Sequence, residues 1–138
     1  MRNFALSVLT IALLSTAADA AAPITGRWVT QEKDGIVEIY QCGTSICGRL
    51  AKFLKAPPNG NAQKDVNNSD PKLRSRPLLG INLLSGFKAD GNEWKGSIYD
   101  PRRGKTFRSV VYKGTSGNLV VKGCIGPLCQ SQTWTPAS

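Results

Sequence analysis

The sequence predicts an all-β protein, an up-and-down antiparallel barrel of about eight strands with one long loop containing a short helix. Three observations predict it. Short segments of alternating polar and apolar residues recur at even spacing, separated by glycine-containing turns. No stretch carries helical periodicity over three turns. Two cysteine pairs of identical spacing, Cys42/Cys47 and Cys124/Cys129, each bracket a turn.

The first 20 residues read as an export signal rather than as part of the fold. Met1-Arg2-Asn3 is a short positive start, and an apolar run follows from Phe4 to Leu14. Ala18-Asp19-Ala20 supplies the small-x-small pattern of a cleavage site, which places the cut after Ala20. The run is well short of the roughly 20 residues that a membrane-spanning helix needs. The plain alternative is a buried N-terminal helix. No cysteine near the cut offers a lipid anchor. The expected domain is therefore residues 21–138, and removing Arg2 with Asp19 leaves the net charge at +9. Paired cysteines fit an oxidising compartment, so the expected location is periplasmic or secreted.

Strands are expected over residues 26–31, 36–41, 46–54, 80–87, 93–99, 105–112, 118–123 and 129–135. The turns between them have their own chemistry, among them Lys33-Asp34-Gly35, Asp90-Gly91-Asn92, Asp100-Pro101-Arg102-Arg103-Gly104 and Gly114-Thr115-Ser116-Gly117. Alternation puts Trp94, Gly96 and Ile98 on one face, as it does Phe107, Ser109 and Val111, and Leu119 and Val121. Lys95, Arg108 and Lys122 take the opposite, solvated face. Three tryptophans are expected mainly in the core.

The long connection runs over residues 55–79. A strandless stretch of about two dozen residues is uncommon in a compact domain and is often functional. Asp70-Pro71 fits the start of a helix, with Asp70 as N-cap, and Pro77 limits it to a short turn over residues 71–75.

A meander has a geometric consequence, because consecutive turns emerge at alternate ends. The turn between Cys42 and Cys47 and the turn between Cys124 and Cys129 then lie at opposite ends of the barrel. A disulfide needs Cα atoms about 4.4–6.8 Å apart, so the expected bridges are Cys42–Cys47 and Cys124–Cys129. Each local bridge contributes about 2 kcal/mol by loop entropy; a bridge spanning the chain would contribute about 4.6 but cannot cross the barrel. The spacing is not the two-residue gap of thioredoxin-like redox motifs.

The same sorting collects Lys55, Lys64, Lys72, Arg74, Arg76, Arg102, Arg103 and Lys105 at the end that carries the long loop, giving an expected basic rim. Arg74 and Arg76 stand out, because guanidinium groups grip carboxylates and phosphates with two bonds. The local alternative pairs both with Asp65, Asp70 or Asp100, so that they pin the loop.

Several motifs resemble one family. Gly26-Arg27-Trp28, Asp65-Val66-Asn67-Asn68 through Arg74-Ser75-Arg76-Pro77-Leu78-Leu79-Gly80, Gly96-Ser97-Ile98-Tyr99-Asp100-Pro101, Lys122-Gly123-Cys124 and Thr133-Trp134 look like the exported bacterial proteins grouped as DUF2147. The resemblance implies a small lipocalin-like, calycin-type barrel and no particular chemistry. Lipocalins usually cover the first-strand tryptophan with an arginine from the last strand. Here the last arginine is Arg108.

The function expected from these readings is non-enzymatic binding of a small amphipathic or anionic molecule at the barrel mouth, by a monomer without a cofactor. The candidate ligand contacts are Arg74, Arg76, Asn67, Asn68, Tyr99 and Arg102. A second reading has the basic end dock onto an anionic envelope polymer or a protein partner. Nucleic acid is a poor partner for an exported chain. Histidine is absent, which excludes Ser-His and Cys-His catalysis. A carboxylate hydrolase built on Asp65, Asp70 or Asp100 with Tyr99 is disfavoured, because Asp70 and Asp100 already have capping and turn roles. A metal site from Asp65, Asn67 and Asp70 lacks the glycine and terminal glutamate of calcium loops.

Overall fold

The computed structural model describes residue 3, residues 5–13 and residues 20–138. Residues 5–13 are exposed and have no regular secondary structure, so no buried N-terminal helix forms there. The expected cleavage motif begins at Ala18 and Asp19, which lie outside the described residues.

Eight strands follow one another around a closed antiparallel barrel in sequence order. They are β1 (Gly26–Val29), β2 (Gly35–Cys42), β3 (Ser45–Phe53), β4 (Asn82–Asp90), β5 (Glu93–Asp100), β6 (Lys105–Lys113), β7 (Leu119–Ile125) and β8 (Leu128–Pro136). Each expected strand is present, with its ends moved by a few residues. β1 is the shortest, at four residues, because the chain turns at Thr30, whose backbone N–H and carbonyl bond Gly35 and Lys33. The short helix forms as a single 3-10 turn over Pro71–Leu73, and the Asp70 carboxylate accepts the Lys72 N–H at 3.0 Å as its cap.

The ring closes through two residue pairs, Trp28 with Pro136 and Val29 with Thr135, extended by an Ala137 N–H bond to the Arg27 carbonyl. Alternation places Val37 and Ile39, Val111, and Leu119 and Val121 inside, and a bulge in β4 at Gly86 brings Leu84 and Phe87 in with them; all are buried. Ile24, Trp28 and Trp134 complete this core. Trp94 is half-buried, and its indole N–H reaches the Ala22 carbonyl at 2.9 Å. The segment before β1 thus folds under the end of the barrel that carries the β2–β3, β4–β5 and β6–β7 turns. Ile24, 1 % exposed, plugs that end. Gly96 is needed where β5 passes β4, because a Cβ there would stand 2.6 Å from the Ser85 carbonyl oxygen and 2.7 Å from the Phe87 ring. Among the described residues, no arginine covers the first-strand tryptophan; the Lys113 ammonium lies 5.7 Å from the centre of the Trp28 ring instead.

The disulfides are local, Cys42–Cys47 and Cys124–Cys129, with Cα separations of 5.5 and 4.0 Å. Each bridge lies within its own hairpin, β2–β3 or β7–β8, and Cys124 and Cys129 are direct partners across β7 and β8. Replacing either pair with serine should cost about 2 kcal/mol, a fall in Tm of about 8 °C by thermal denaturation, with the β-sheet circular dichroism retained at 20 °C.

Candidate functional site

The long loop, residues 54–81, is organised by one buried carboxylate. Asp65 is 1 % exposed. Its Oδ1 accepts the Tyr99 hydroxyl at 2.5 Å, and its Oδ2 accepts Asn68 Nδ2 at 2.8 Å and Arg76 Nε at 2.9 Å. Its backbone N–H meanwhile bonds the Arg76 carbonyl. Burial by itself would raise the carboxyl's pKa. Donation from Asn68, Tyr99 and Arg76 outweighs it, and the group lies below the usual carboxylate range. Tyr99 responds in the opposite sense: burial first, and the hydrogen bond to Asp65 second, push its hydroxyl up to about 12. The Arg76 guanidinium also lies over the Tyr99 ring, 5.3 Å from its centre. Arg74 Nε donates to the Asn68 carbonyl at 2.8 Å, and Asn68 Oδ1 accepts the Asp70 N–H.

A second contact docks this unit on the β5–β6 turn. The Ser69 N–H bonds the Gly104 carbonyl at 2.9 Å. Gly104 has φ +67°, and a Cβ there would fall 1.7 Å from the Asn67 carbonyl oxygen. Only glycine gives both the left-handed turn and the close approach.

The barrel end beside this loop is open. A cavity of about 520 Å³ descends from it. Leu50, Phe53, Leu83, Ile98, Phe107 and Trp134 supply its apolar wall. It stays open because one wall position, Gly123, carries no side chain and leaves space where a Cβ would meet only Ile98, and because β8 presents Gln130 and Gln132 there in place of apolar groups. Ile125 and Leu128 form an apolar lip on the β7–β8 turn, 63 % and 78 % exposed.

Charge at the mouth differs from the expected basic rim. The β1–β2 turn emerges at the same end and brings Glu32 and Asp34. Arg102 Nη1 and Nη2 donate to the Glu32 carboxylate at 3.1 and 2.6 Å, and Nη2 also donates to Asp34 at 2.8 Å. The hydrogen bond and charge of Arg102 lower the pKa of Glu32, and the Glu32 bond raises that of Arg102 further above its ordinary value. Arg103 lies 3.8 Å from the Asp100 carboxylate. The mouth is therefore lined by three acids and two arginines, with Arg102 tying the β1–β2 turn to the β5–β6 turn on the far side of the ring.

Of the six expected ligand contacts, Tyr99 and Arg102 line the cavity. Arg74, Arg76 and Asn68 act in the loop clasp around Asp65, and Asn67 packs its backbone against Gly104. Sequence reasoning missed Glu32 and Asp34, although the alternation of turns places them at this end. It also missed Gln130 and Gln132, for which the polar interruptions of the last strand were the available signal. Asp65, Asp70 and Asp100 each serve local structure, as hub, helix cap and turn acceptor of the Arg102 N–H. Among the described residues, no group of three or more acidic or cysteine side chains is placed to hold a metal ion.

A closed meander of eight strands, plugged at one end and open to an apolar cavity at the other, defines a lipocalin-like barrel. Protein HP1028 from the human pathogen Helicobacter pylori, described as belonging to the lipocalin family, is similar in structure: TM-score 0.70, 25% identity, covering 86% of this chain and 85% of that one. The profile of a family described as uncharacterized protein conserved in bacteria, DUF2147, matches residues 26–136, and the chain belongs to that family. No match is found among curated proteins.

Gly104→Ala should destabilise the fold by more than about 2 kcal/mol, from the left-handed backbone and the collision with Asn67 together. Asp65→Ala should cost about 3 kcal/mol by leaving Tyr99, Asn68 and Arg76 without their acceptor. The folded-state pKa of Asp65 is depressed, so its contribution is complete above the unfolded value near 4 and disappears as pH falls through the lower folded value. Urea unfolding at pH 7 and below pH 3 should therefore show a large gap between wild type and Asp65→Asn at pH 7, narrowing in acid.

Proposed function

We propose that this chain is an exported binding protein of the bacterial cell envelope, which takes a small apolar or amphipathic molecule into the open end of its barrel. The observation that carries the reading is the cavity. Its volume of about 520 Å³ falls in the range of small-molecule sites, and its wall is apolar with a few polar groups at the mouth. Export is supported by the character of residues 1–20 and by two disulfides, which persist in oxidising compartments. In this reading Tyr99 and Arg102 meet the ligand directly. Arg74, Arg76, Asn67 and Asn68 hold the loop that frames the mouth. The protein works as a monomer that binds without catalysing.

Surface cations favour a second reading, docking on an anionic envelope polymer. Lys64, Lys72, Arg74 and Lys105 form no ion pair among the described residues. Such docking would weaken steeply with added salt, whereas entry of an apolar molecule into the cavity would not.

The neutral fluorophore N-phenyl-1-naphthylamine is a suitable probe. It should bind saturably, with little dependence on salt. Gly123→Phe should weaken it at least tenfold without lowering Tm. A Cβ at Gly123 meets only Ile98 Cγ2, at 3.6 Å, so a side chain there fills the lumen rather than disturbing the wall. Absence of saturable binding, or equal binding by Gly123→Phe, overturns the reading.

A further inference from the structure

The two strands that close the ring differ in length, and a cleft opens where they part. β1 ends at Val29, but β8 continues away from its last β1 partner, Thr135, to Leu128. In the stretch where β8 is paired with β7 but has no strand on its β1 side, Gln31, Glu32, Gln130, Ser131 and Gln132 surround a polar cleft. Glu32, Gln130 and Gln132 line this cleft and the barrel cavity alike, so the two adjoin across these side chains.

The hydrogen bonds orient the amides. Gln31 Oε1 accepts the Thr133 N–H at 2.8 Å, and Gln132 Oε1 accepts the Trp134 indole N–H at 3.1 Å. Both carbonyl oxygens are engaged by the protein, which leaves the two NH₂ groups as donors. Gln130 is exposed, with no hydrogen-bond partner among the described residues, and can donate or accept. The Glu32 carboxylate is the strong acceptor, with Arg102 on its cavity side. From Gly123 to Ser138 the chain carries no charged residue, and β8 is the one strand without any. The cleft thus offers both donors and acceptors, and its lining includes no cation.

We infer that this cleft is a headgroup subsite for an uncharged, hydroxyl-rich group, such as a sugar, on an amphipathic ligand whose apolar part occupies the barrel. The inference rests on the binding role proposed above and names the class of ligand. A hydroxyl both donates and accepts, and so matches the mixture that Gln31, Gln130, Gln132 and Glu32 present. An anionic headgroup would meet Glu32 and find no cation on β8. A cationic one would have to displace Arg102 from Glu32.

Displacement of N-phenyl-1-naphthylamine from the full chain tests this, using three amphiphiles of one chain length, all below their micellar concentrations: decyl maltoside, decanoate and decyltrimethylammonium. The maltoside should displace the probe at a concentration at least tenfold lower than either charged amphiphile. Gln31→Ala combined with Gln130→Ala should reduce the ratio of maltoside to decanoate affinity at least tenfold. Ser131→Trp, which fills the cleft from an exposed position, should do the same. Decanoate or the ammonium displacing the probe as well as the maltoside overturns the subsite, as does a preference that survives in both variants. Failure of the probe itself to bind overturns the cavity reading instead, and the subsite with it.

Discussion

The whole architecture depends on where the ring is shut. A meander of eight strands has two free edges until its first and last strands meet, and unpaired edges invite association with other chains. Here they meet over two residue pairs at the plugged end of the barrel. One of the pairs includes Pro136, which has no N–H to donate. The Ala137 N–H bond to Arg27 and the burial of Trp28 and Trp134 on either side of the seam reinforce it. Closure at one end leaves the strands free to diverge at the other. The apolar core, the Ile24 plug and the seam therefore share one half of the barrel, and the cavity and side cleft share the other.

The open half is kept in shape by polar contacts. Burying the Asp65 carboxylate carries a desolvation cost that only several good donors can offset. Tyr99 from the barrel wall and Asn68 and Arg76 from the loop provide them. The long loop is consequently a fixed bracket beside the mouth, joined to the β5–β6 turn at Gly104. Across the opening, Arg102 bonds Glu32 and Asp34, so that turns on opposite sides of the ring brace one another. These mouth pairs are exposed and individually contribute little to stability. Their effect is positional: they set which charges an entering molecule meets.

Much of this was legible beforehand. Alternation in β5, β6 and β7 assigned the inward residues correctly, because a two-residue period leaves little freedom once one face is apolar. The local disulfides followed from the alternation of turns, and the cap at Asp70 from the Asp-Pro pair. The cations expected at this end are there, but the cavity mouth itself is lined by three acids and two arginines, for a traceable reason. Counting cations in the long loop and the Asp100–Gly104 turn left out the acids of the first turn, which the same rule sends to the same end. The pairing of Arg76 with Asp65 was one of two alternatives, and nothing in the spacing of residues 65 and 76 chose between a ligand and a loop acid.

Strand order, bridge pairing and the sidedness of each strand could be read from the chain, because they depend on local periodicity and on the alternation that a meander imposes. The open interior could not. Whether eight strands enclose a solid core or a cavity depends on which inward side chains meet at each level, and here Gly123 and the β8 glutamines stand where bulky apolar groups would have filled the interior. The side cleft is likewise a matter of three dimensions. It exists because β1 is shorter than β8, and that mismatch has meaning only once the two ends of the sequence lie side by side.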